Sequence, residues 1–384
     1  MKYREMGRTG VRVSALGFGC MRFPTLSRRP SFYGKVDERE ARHLLQSAFD
    51  KGVNYFDTAY NYHGGRSESI LGRFLGTVRR DRILVATKLP GWRVKKPSDF
   101  ARIFRLQLRR LDTDYIDFYL LHGLNGASFE HLRQQGVLDF IEGLKKDGRV
   151  RFLGFSFHDS GAAFRPIVDA FDWDFCQIQY NIVDARMQAG RSGLLYAARR
   201  GLGVVIMEPL HGGDLVECIP DPIRRMWERG AVRSSPAGTC LAWIWDHPGV
   251  SLILSGMSSR EQLDENIAVA SRSRPGMLTP EERRLTCRIR AAYSRMPIIR
   301  CTRCGYCMPC PAGVNIPQNF HACNMSVLFP GSGTARMEYN VWMRPEQRAS
   351  ACISCGKCEP RCPQGLGIRD LLRDVEAEFG NRRT

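Results

Sequence analysis

The sequence predicts an α/β protein: a closed (β/α)8 barrel of the TIM type over residues 1–285, then a small, mainly helical module over residues 286–384. Three observations predict it. Short apolar, β-branched runs alternate with helical periods eight times, and eight such units close a barrel. No G-x-G-x-x-G follows the first strand, which argues against a doubly wound open sheet. Cysteine is unevenly distributed: of 14 in the chain, ten lie after residue 285.

The elements follow in order. Predicted strands span Ser14–Gly19, Asn54–Asp57, Arg82–Thr87, Tyr115–Leu121, Phe152–Ser156, Phe175–Tyr180, Gly203–Glu208 and Ser251–Leu254. Between them, Glu38–Lys51 carries apolar Ala41, Leu44, Leu45 and Ala48 at helical spacing. Pro97–Leu111, Val137–Lys146, Leu194–Arg200 and Ser259–Ala270 read the same way. Gly52, Gly148 and Gly201 each follow a helix, where a residue with positive φ ends the last turn. The segments Gly123–Gln135 and His211–Arg233 read as long inserts walling a pocket at the barrel mouth.

Composition narrows the class. With 384 residues, 43% hydrophobic and 25% charged, the chain is an ordinary globular one with room for a large and a small domain. No apolar run approaches the roughly 18 residues of a membrane span. No apolar segment follows Met-Lys-Tyr-Arg-Glu at the N-terminus, so no secretory leader is expected and the expected location is the cytoplasm. The net charge is +18, and only 9 of the 57 basic residues are Lys. Such Arg dominance reads first as a compositional bias of the source, and second as a preference for phosphates or a small acidic protein. Arg is spread along the whole chain without an aromatic-interleaved stripe, so nucleic acid is not an expected partner.

In such a barrel the chemistry sits at the C-terminal strand ends. The second predicted strand ends in Asp57-Thr-Ala-Tyr60-Asn-Tyr62, the third in Thr87-Lys88, the fourth in Leu121-His122. The fifth ends in Ser156, the sixth carries Gln177, and the seventh ends in Glu208-Pro209. One strand-end Asp is usually a cap and one Lys usually a solvated charge. Asp, Tyr, Lys and His from three successive strand ends are harder to explain as packing. Their chemistry is coherent. A carbonyl reduced by hydride needs a proton on its oxygen, and Tyr is a weak donor near its ordinary pKa of about 10. A neighbouring Lys⁺ favours the phenolate and pulls that pKa down. Asp57 would hold Lys88 charged, and His122 would donate to the carbonyl oxygen and orient it.

Over residues 1–285 the chain resembles the aldo/keto reductases. The resemblance rests on Leu16-Gly17-Phe18-Gly19, on Asn54-Tyr-Phe-Asp57-Thr-Ala-Tyr60, on Asp114-Tyr-Ile-Asp117-Phe-Tyr-Leu-Leu-His122-Gly123, and on Gly154-Phe-Ser156. It implies a catalytic tetrad of Asp57, Tyr62, Lys88 and His122, and a small-molecule aldehyde or ketone substrate. It also implies NADPH or NADH bound without a Gly-rich loop, the carboxamide meeting Ser156 and Gln177. Met207-Glu208-Pro209-Leu210 would flank the nicotinamide, with Met207 where the family often has an aromatic ring. Ser255-Gly256-Met257-Ser258-Ser259, with Gln262, Glu265 and Asn266, resembles the adenosine-phosphate loop and its helix, whose N-terminus suits a phosphate. Many NADPH-specific members place Lys and Arg where this chain has Gly256 and Gln262. The choice between the two nucleotides therefore stays open, with NADPH favoured by family habit. Trp92, Tyr60 and Phe157 are candidates for lining the substrate pocket or for the core.

The C-terminal cysteines form two runs: Cys301-x2-Cys304-x2-Cys307-x2-Cys310-Pro311 and Cys352-x2-Cys355-x2-Cys358-x3-Cys362-Pro363. The second has the ferredoxin spacing, and the first is one residue short before its last Cys. Four thiols at three-residue steps are too many for one zinc, which takes paired C-x2-C knuckles across a longer spacer. The segment resembles the bacterial dicluster ferredoxins. That resemblance implies two [4Fe–4S] clusters, one on Cys301, Cys304, Cys307 and Cys362, the other on Cys352, Cys355, Cys358 and Cys310. Cys287, Cys323 and the four barrel cysteines are expected to be buried thiols.

Three functions compete. In the first, an NAD(P)H-dependent carbonyl oxidoreductase relays electrons through its clusters to or from a partner such as an acidic ferredoxin or flavodoxin. In the second the clusters are structural only. In the third the barrel is a non-catalytic nucleotide or redox sensor, which the complete tetrad disfavours.

Overall fold

The computed structural model describes residues 1–27, 34–230 and 234–380. Its chain divides into two compact units: Met1–Leu210 with Val232–Arg283, and His211–Ala231 with Arg284–Thr384. The insert at 211 is thus grouped with the second unit, although the sequence pattern assigns it to the barrel; its residues 231–233 lie outside the described ones.

The first unit is a closed, all-parallel barrel of eight strands: β1 (Leu16–Gly19), β2 (Tyr55–Asp57), β3 (Leu84–Leu89), β4 (Ile116–Leu124), β5 (Val150–Phe157), β6 (Phe175–Gln179), β7 (Gly203–Met207) and β8 (Leu252–Ser255). Each strand pairs with its sequence neighbour, and β8 pairs with β1, Ile253 opposite Leu16. Every strand is followed by a helix, and those after β1, β3, β4, β6 and β8 include the predicted ones. The predicted helix Val137–Lys146 matches the observed one, and Glu38–Asp50 begins where Asp37 accepts from the Glu40 N–H at 3.1 Å.

Helices Arg66–Leu75, Gly126–Gln134, Gly161–Asp169 and Pro236–Trp245 have no counterpart in the sequence reading. Gly126–Gln134 replaces part of an expected loop, opened by a capping box between Asn125 and Ser128. Pro236–Trp245 is buried all round, so its sequence shows no polar face and no period.

Inside the barrel, Tyr55, Leu84, Ala86, Phe118, Leu120, Phe175, Val205, Leu252 and Leu254 form one apolar cluster. Glycine makes room for it: a Cβ on Gly154 would lie 2.5 Å from the Phe175 ring. An antiparallel hairpin, Tyr3–Glu5 with Arg12–Ser14, contributes Met6 and Val13 to the same cluster. Its turn is tied to the start of β7, where the Arg8 N–H donates to Gly201 O at 2.8 Å. The opposite, C-terminal ends of the strands carry the polar residues.

The second unit is helical. Ile316–Leu328 packs against Ile368–Phe379, with Phe320, Leu372, Val375 and Phe379 buried. Tyr339 stacks on Phe379 at 4.6 Å and donates to Glu376 at 2.6 Å. Asn319 bridges Asn315 O and Gln347 O, both at 2.8 Å, and so joins the segment before this helix to the approach to the second cysteine run. The insert is tied in by Ser332, which donates to Asp214 at 2.7 Å, and by His211 against Phe329 at 4.9 Å.

One loop of the barrel is sensitive to pH. His63 is buried between the end of β2 and helix Arg66–Leu75, packs on Phe23 at 5.7 Å and accepts the Phe23 N–H at 3.2 Å. Burial lowers its pKa to about 4, against an unfolded value of about 6.5. The unfolded chain therefore binds the proton first, and stability falls as pH drops from about 6.5 to about 4. Because His63 has φ 50°, Asn can take its place without losing the backbone conformation. The His63→Asn chain is expected to take up about one proton fewer on unfolding in that window, read as a shallower pH dependence of the denaturant midpoint.

Candidate active site

Lys88 projects from the end of β3 into the barrel mouth and is fully buried. Its ammonium donates to Asp57 Oδ1 at 2.6 Å, to Thr58 O at 2.8 Å and to the Tyr62 hydroxyl. Those are all three donors of a lysine. Burial pulls the Lys88 pKa down, but the charge of Asp57 and the hydrogen bonds to Asp57 and Tyr62 outweigh it, and the group stays charged with its pKa raised. Burial raises the Asp57 carboxyl in turn, against the pull of Lys88. Asp57 Oδ2 has no hydrogen-bond partner among the described residues.

The backbone that aims these groups is unusual. After Tyr62 the chain runs through His63, Gly64 and Gly65 with φ of 50°, 66° and 91°. The turn brings Tyr62 back over Lys88, whose Nζ lies 5.1 Å from the phenol ring centroid. On β4, the register with β5 slips between Leu121 and Leu124, so His122 and Gly123 together face Ser156. Such a bulge re-aims a side chain. Gly123, at φ 61°, donates its N–H to Ser156 Oγ at 2.7 Å, and His122 comes edge-on to Tyr62 at 6.2 Å. Burial, then the charge of Lys88, then that of His158 hold the His122 pKa well below its ordinary value. The ring is neutral at neutral pH and carries one N–H.

The sequence reading expects Lys88 to lower the Tyr62 pKa. Lys88 does act in that direction, but burial is the larger effect and the hydroxyl sits above its ordinary value. In this site Tyr62 is a protonated phenol that accepts from Lys88 and keeps its own hydrogen.

Beneath the tetrad lies a polar network that the strand-end reasoning missed. Gln107 donates to Lys88 O and Glu68 Oε1, both at 2.9 Å, and accepts from Tyr119 at 2.8 Å. Thr87 donates to Glu68 at 2.8 Å, while Arg110 pairs with Glu68 at 3.0 Å and donates to Tyr60 O at 3.1 Å. The network grips Lys88 and the Tyr60 backbone from one side. Gln107 and Arg110 lie on a helix whose apolar period hides them.

The expected nucleotide residues fall as follows. Ser156 and Gln177 are neighbours across β5 and β6, both buried. Gln177 donates to Met207 Sδ at 3.4 Å, and its buried Oε1 has no partner among the described residues. That acceptor fits a carboxamide N–H. Glu208 leaves β7 at φ 53°, and its charge is felt by Tyr62; Pro209 and Leu210 follow it to the end of the unit's first segment. Asn266 donates to Ser255 Oγ at 3.1 Å. Ser259 caps helix Arg260–Ala270, accepting from Gln262 N at 3.3 Å, while Gln262 Oε1 accepts from Ser258 N at 2.9 Å. Met257 is buried, and Glu265 accepts from Ser235, the cap of the preceding helix. The aliphatic stem of Arg22 packs beside Gly256: a Cβ on that glycine would lie 2.9 Å from Arg22 Cβ.

Trp92 is exposed beside His122 at 5.0 Å. Tyr60 packs under the Arg110 guanidinium at 4.7 Å. Phe157 is buried away from the mouth against Phe164 at 5.0 Å, because strand alternation points Ser156 inward and Phe157 outward.

In the second unit, burial raises the Cys301 thiol, and Cys304 and Cys362 raise it further. Cys307 is pushed up to about 11 by burial, then by Cys301, with smaller contributions from Cys304 and Cys358. Burial also raises Cys358, with Glu359, Cys352 and Cys310 adding to it. Cys301 thus feels Cys362, and Cys358 feels Cys310, while Cys307 also feels Cys358. The two loops share a backbone: Arg303 and Ser354 have φ of 60° and 53°, and Gly305 and Gly356 have 81° and 73°. Arg303 N–H donates to Cys301 Sγ at 3.4 Å. Backbone nests of this kind suit anionic sulfur. No group of three or more His, Cys, Asp or Glu among the described residues is gathered tightly enough to hold a single ion. Cys287 is exposed and Cys218 and Cys323 half-buried, contrary to the expectation of buried thiols; Cys20, Cys176 and Cys240 are buried.

Comparison with known proteins covers both parts. The sequence profile of the Aldo/keto reductase family matches residues 15–274, and that of a 4Fe-4S dicluster domain matches residues 300–366. L-galactose dehydrogenase of Arabidopsis thaliana is 28% identical over 299 residues, 71% of this chain and 88% of that protein. The NADH-specific methylglyoxal reductase of Escherichia coli is 26% identical over 311 residues, covering 70% and 93%. Among solved structures, an aldo-keto reductase of Bacillus halodurans in its holo form superposes with a TM-score of 0.63 at 26% identity, over 75% of this chain and 96% of that one. The barrel, its strand-end chemistry and these matches agree: the chain belongs to the aldo/keto reductase family of oxidoreductases and carries a C-terminal 4Fe-4S domain.

Proposed function

We propose that the barrel interconverts a small aldehyde or ketone and its alcohol with a nicotinamide dinucleotide, and that the C-terminal unit exchanges electrons with a partner protein. The observation that carries the reading is the buried Lys88 bonded at once to Asp57 and Tyr62. When bound, the dinucleotide supplies or accepts hydride, and the clusters supply or accept single electrons.

The chain's own residues do the rest. Tyr62 gives its hydroxyl proton to the carbonyl oxygen, and Lys88, already donating to that hydroxyl, stabilises the phenolate left behind. Asp57 keeps Lys88 charged as this happens. His122, neutral, donates its N–H to the same oxygen and fixes its direction. Ser156 and Gln177 hold the carboxamide, Met207 to Leu210 flank the nicotinamide, and the Ser255–Ser259 loop with Gln262, Glu265 and Asn266 takes the adenosine phosphates. Family habit favours NADPH. Cys301, Cys304, Cys307 and Cys362 hold one [4Fe–4S] cluster, and Cys352, Cys355, Cys358 and Cys310 the other. The mutual influence of these thiols supports that pairing. No helix among the described residues is long and apolar enough to cross a membrane.

Tyr62→Phe should lower the rate of carbonyl reduction by roughly 10²–10⁴ while dinucleotide binding stays unchanged. A variant with full activity contradicts the assignment. Protein purified without oxygen should carry about eight iron atoms per chain. Four would mean that the shortened first run cannot complete a second cluster, and stoichiometric zinc without iron would remove electron relay from the account.

A further inference from the structure

The two cysteine loops carry more than ligands. Tyr306 sits between Cys304 and Cys307, and Ile353 between Cys352 and Cys355; they are 65% and 66% exposed. Tyr306 lies on the turn of the first run and Ile353 directly follows the first cysteine of the second, and neither is part of the unit's core. Cys304 and Cys355 are themselves exposed beside them. Arg300, Arg303, Lys357 and Arg361, in or next to the two runs, are all exposed, and none forms an ion pair among the described residues. Glu359 is the one acidic residue within the two runs, and Arg369 takes it in a fork at 3.1 and 2.8 Å, with a backbone N–H at 3.0 Å. The unit's last helix holds further acids, among them Glu376, which accepts from Tyr339. The two runs thus combine two exposed apolar side chains with four exposed, unpaired cations.

We propose that these loops are the docking surface for a small acidic electron-transfer protein, with Tyr306 and Ile353 as its apolar contacts and Arg300, Arg303, Lys357 and Arg361 as its steering charges. This rests on the reading of the cysteines as cluster ligands. Charge complementarity selects the partner: four unpaired cations repel a basic carrier and draw in an acidic one, raising the encounter rate by roughly 10–10³. Apolar residues inside a charged rim suit a contact that must form and break in each turnover. Each encounter moves one electron, so the carrier changes by one electron and the protein by the same in the opposite sense.

The test uses the full chain, purified without oxygen, with an acidic flavodoxin, an acidic [2Fe–2S] ferredoxin and basic cytochrome c as probes. Calorimetry at low salt should show binding of an acidic probe that weakens at least about tenfold at physiological salt, and no binding of cytochrome c. The charge-reversed chain Arg303→Glu, Lys357→Glu, Arg361→Glu should lose at least about tenfold in affinity with its salt dependence flattened. Tyr306→Ala with Ile353→Ala should weaken binding and leave the salt dependence as it was. Iron content is measured on every sample, so that a chain unable to hold clusters is recognised as such. If wild-type protein holds no iron, the ligand reading fails on that count alone, and the binding data still judge the surface. Lys357→Gln serves where the triple variant loses iron, and should weaken binding in the same direction. Failure of both acidic probes to bind, or equal binding by the charge-reversed chain with its iron intact, overturns the proposal.

Discussion

The ammonium of Lys88 is buried in the mouth of a barrel whose interior is otherwise aromatic and aliphatic, and the site is arranged around keeping it there. A buried cation is tolerable only if its partners are fixed in advance. Asp57, Thr58 and Tyr62 use its three donors, and Gln107 takes the carbonyl of the same residue. Removing one partner would leave an uncompensated charge, at a cost of about 3–5 kcal/mol. The same constraint makes chemistry possible. A charge that cannot leave holds the Tyr62 oxygen in place, so a phenol that burial alone would keep protonated has somewhere to put its negative charge.

The geometry needs help from both sides of Lys88. On one side, the left-handed turn from His63 to Gly65 folds Tyr62 back; a Cβ on Gly65 would meet the Arg110 guanidinium at 3.0 Å, so both φ and space call for glycine. On the other side, the bulge at His122 lets one strand present a ring where regular alternation would not. Both devices sit at strand ends, where the barrel's hydrogen-bonding stops dictating the backbone.

Much of this was legible in the sequence. Eight β-branched runs marked the strands because a strand covered on both faces needs apolar residues throughout, and the strand-end Asp, Lys and His stood out against them. The sign of the Tyr62 shift was not legible, since it depends on burial weighed against a charge three residues of backbone cannot locate. Nor was the Glu68–Gln107–Arg110 network, whose members come from two helices and meet only in three dimensions. Phe157 read equally as a pocket or a core residue, and strand alternation, which turns it outward, decides for the core. In the C-terminal unit cysteine spacing announced the loops, but the grouping of His211–Ala231 with that unit depends on contacts such as Ser332 with Asp214, 118 residues apart.

The central claim is that Lys88 makes the barrel mouth a hydride-transfer site. Anaerobic turnover with a nicotinamide dinucleotide deuterated at C4, followed by mass analysis of the product alcohol, tests it most directly in the intact protein and in Lys88→Met. The account predicts one deuterium on the former carbonyl carbon with the native chain and almost none with the variant. Label passing equally in both, or product formed by the native chain without deuterium, would contradict it.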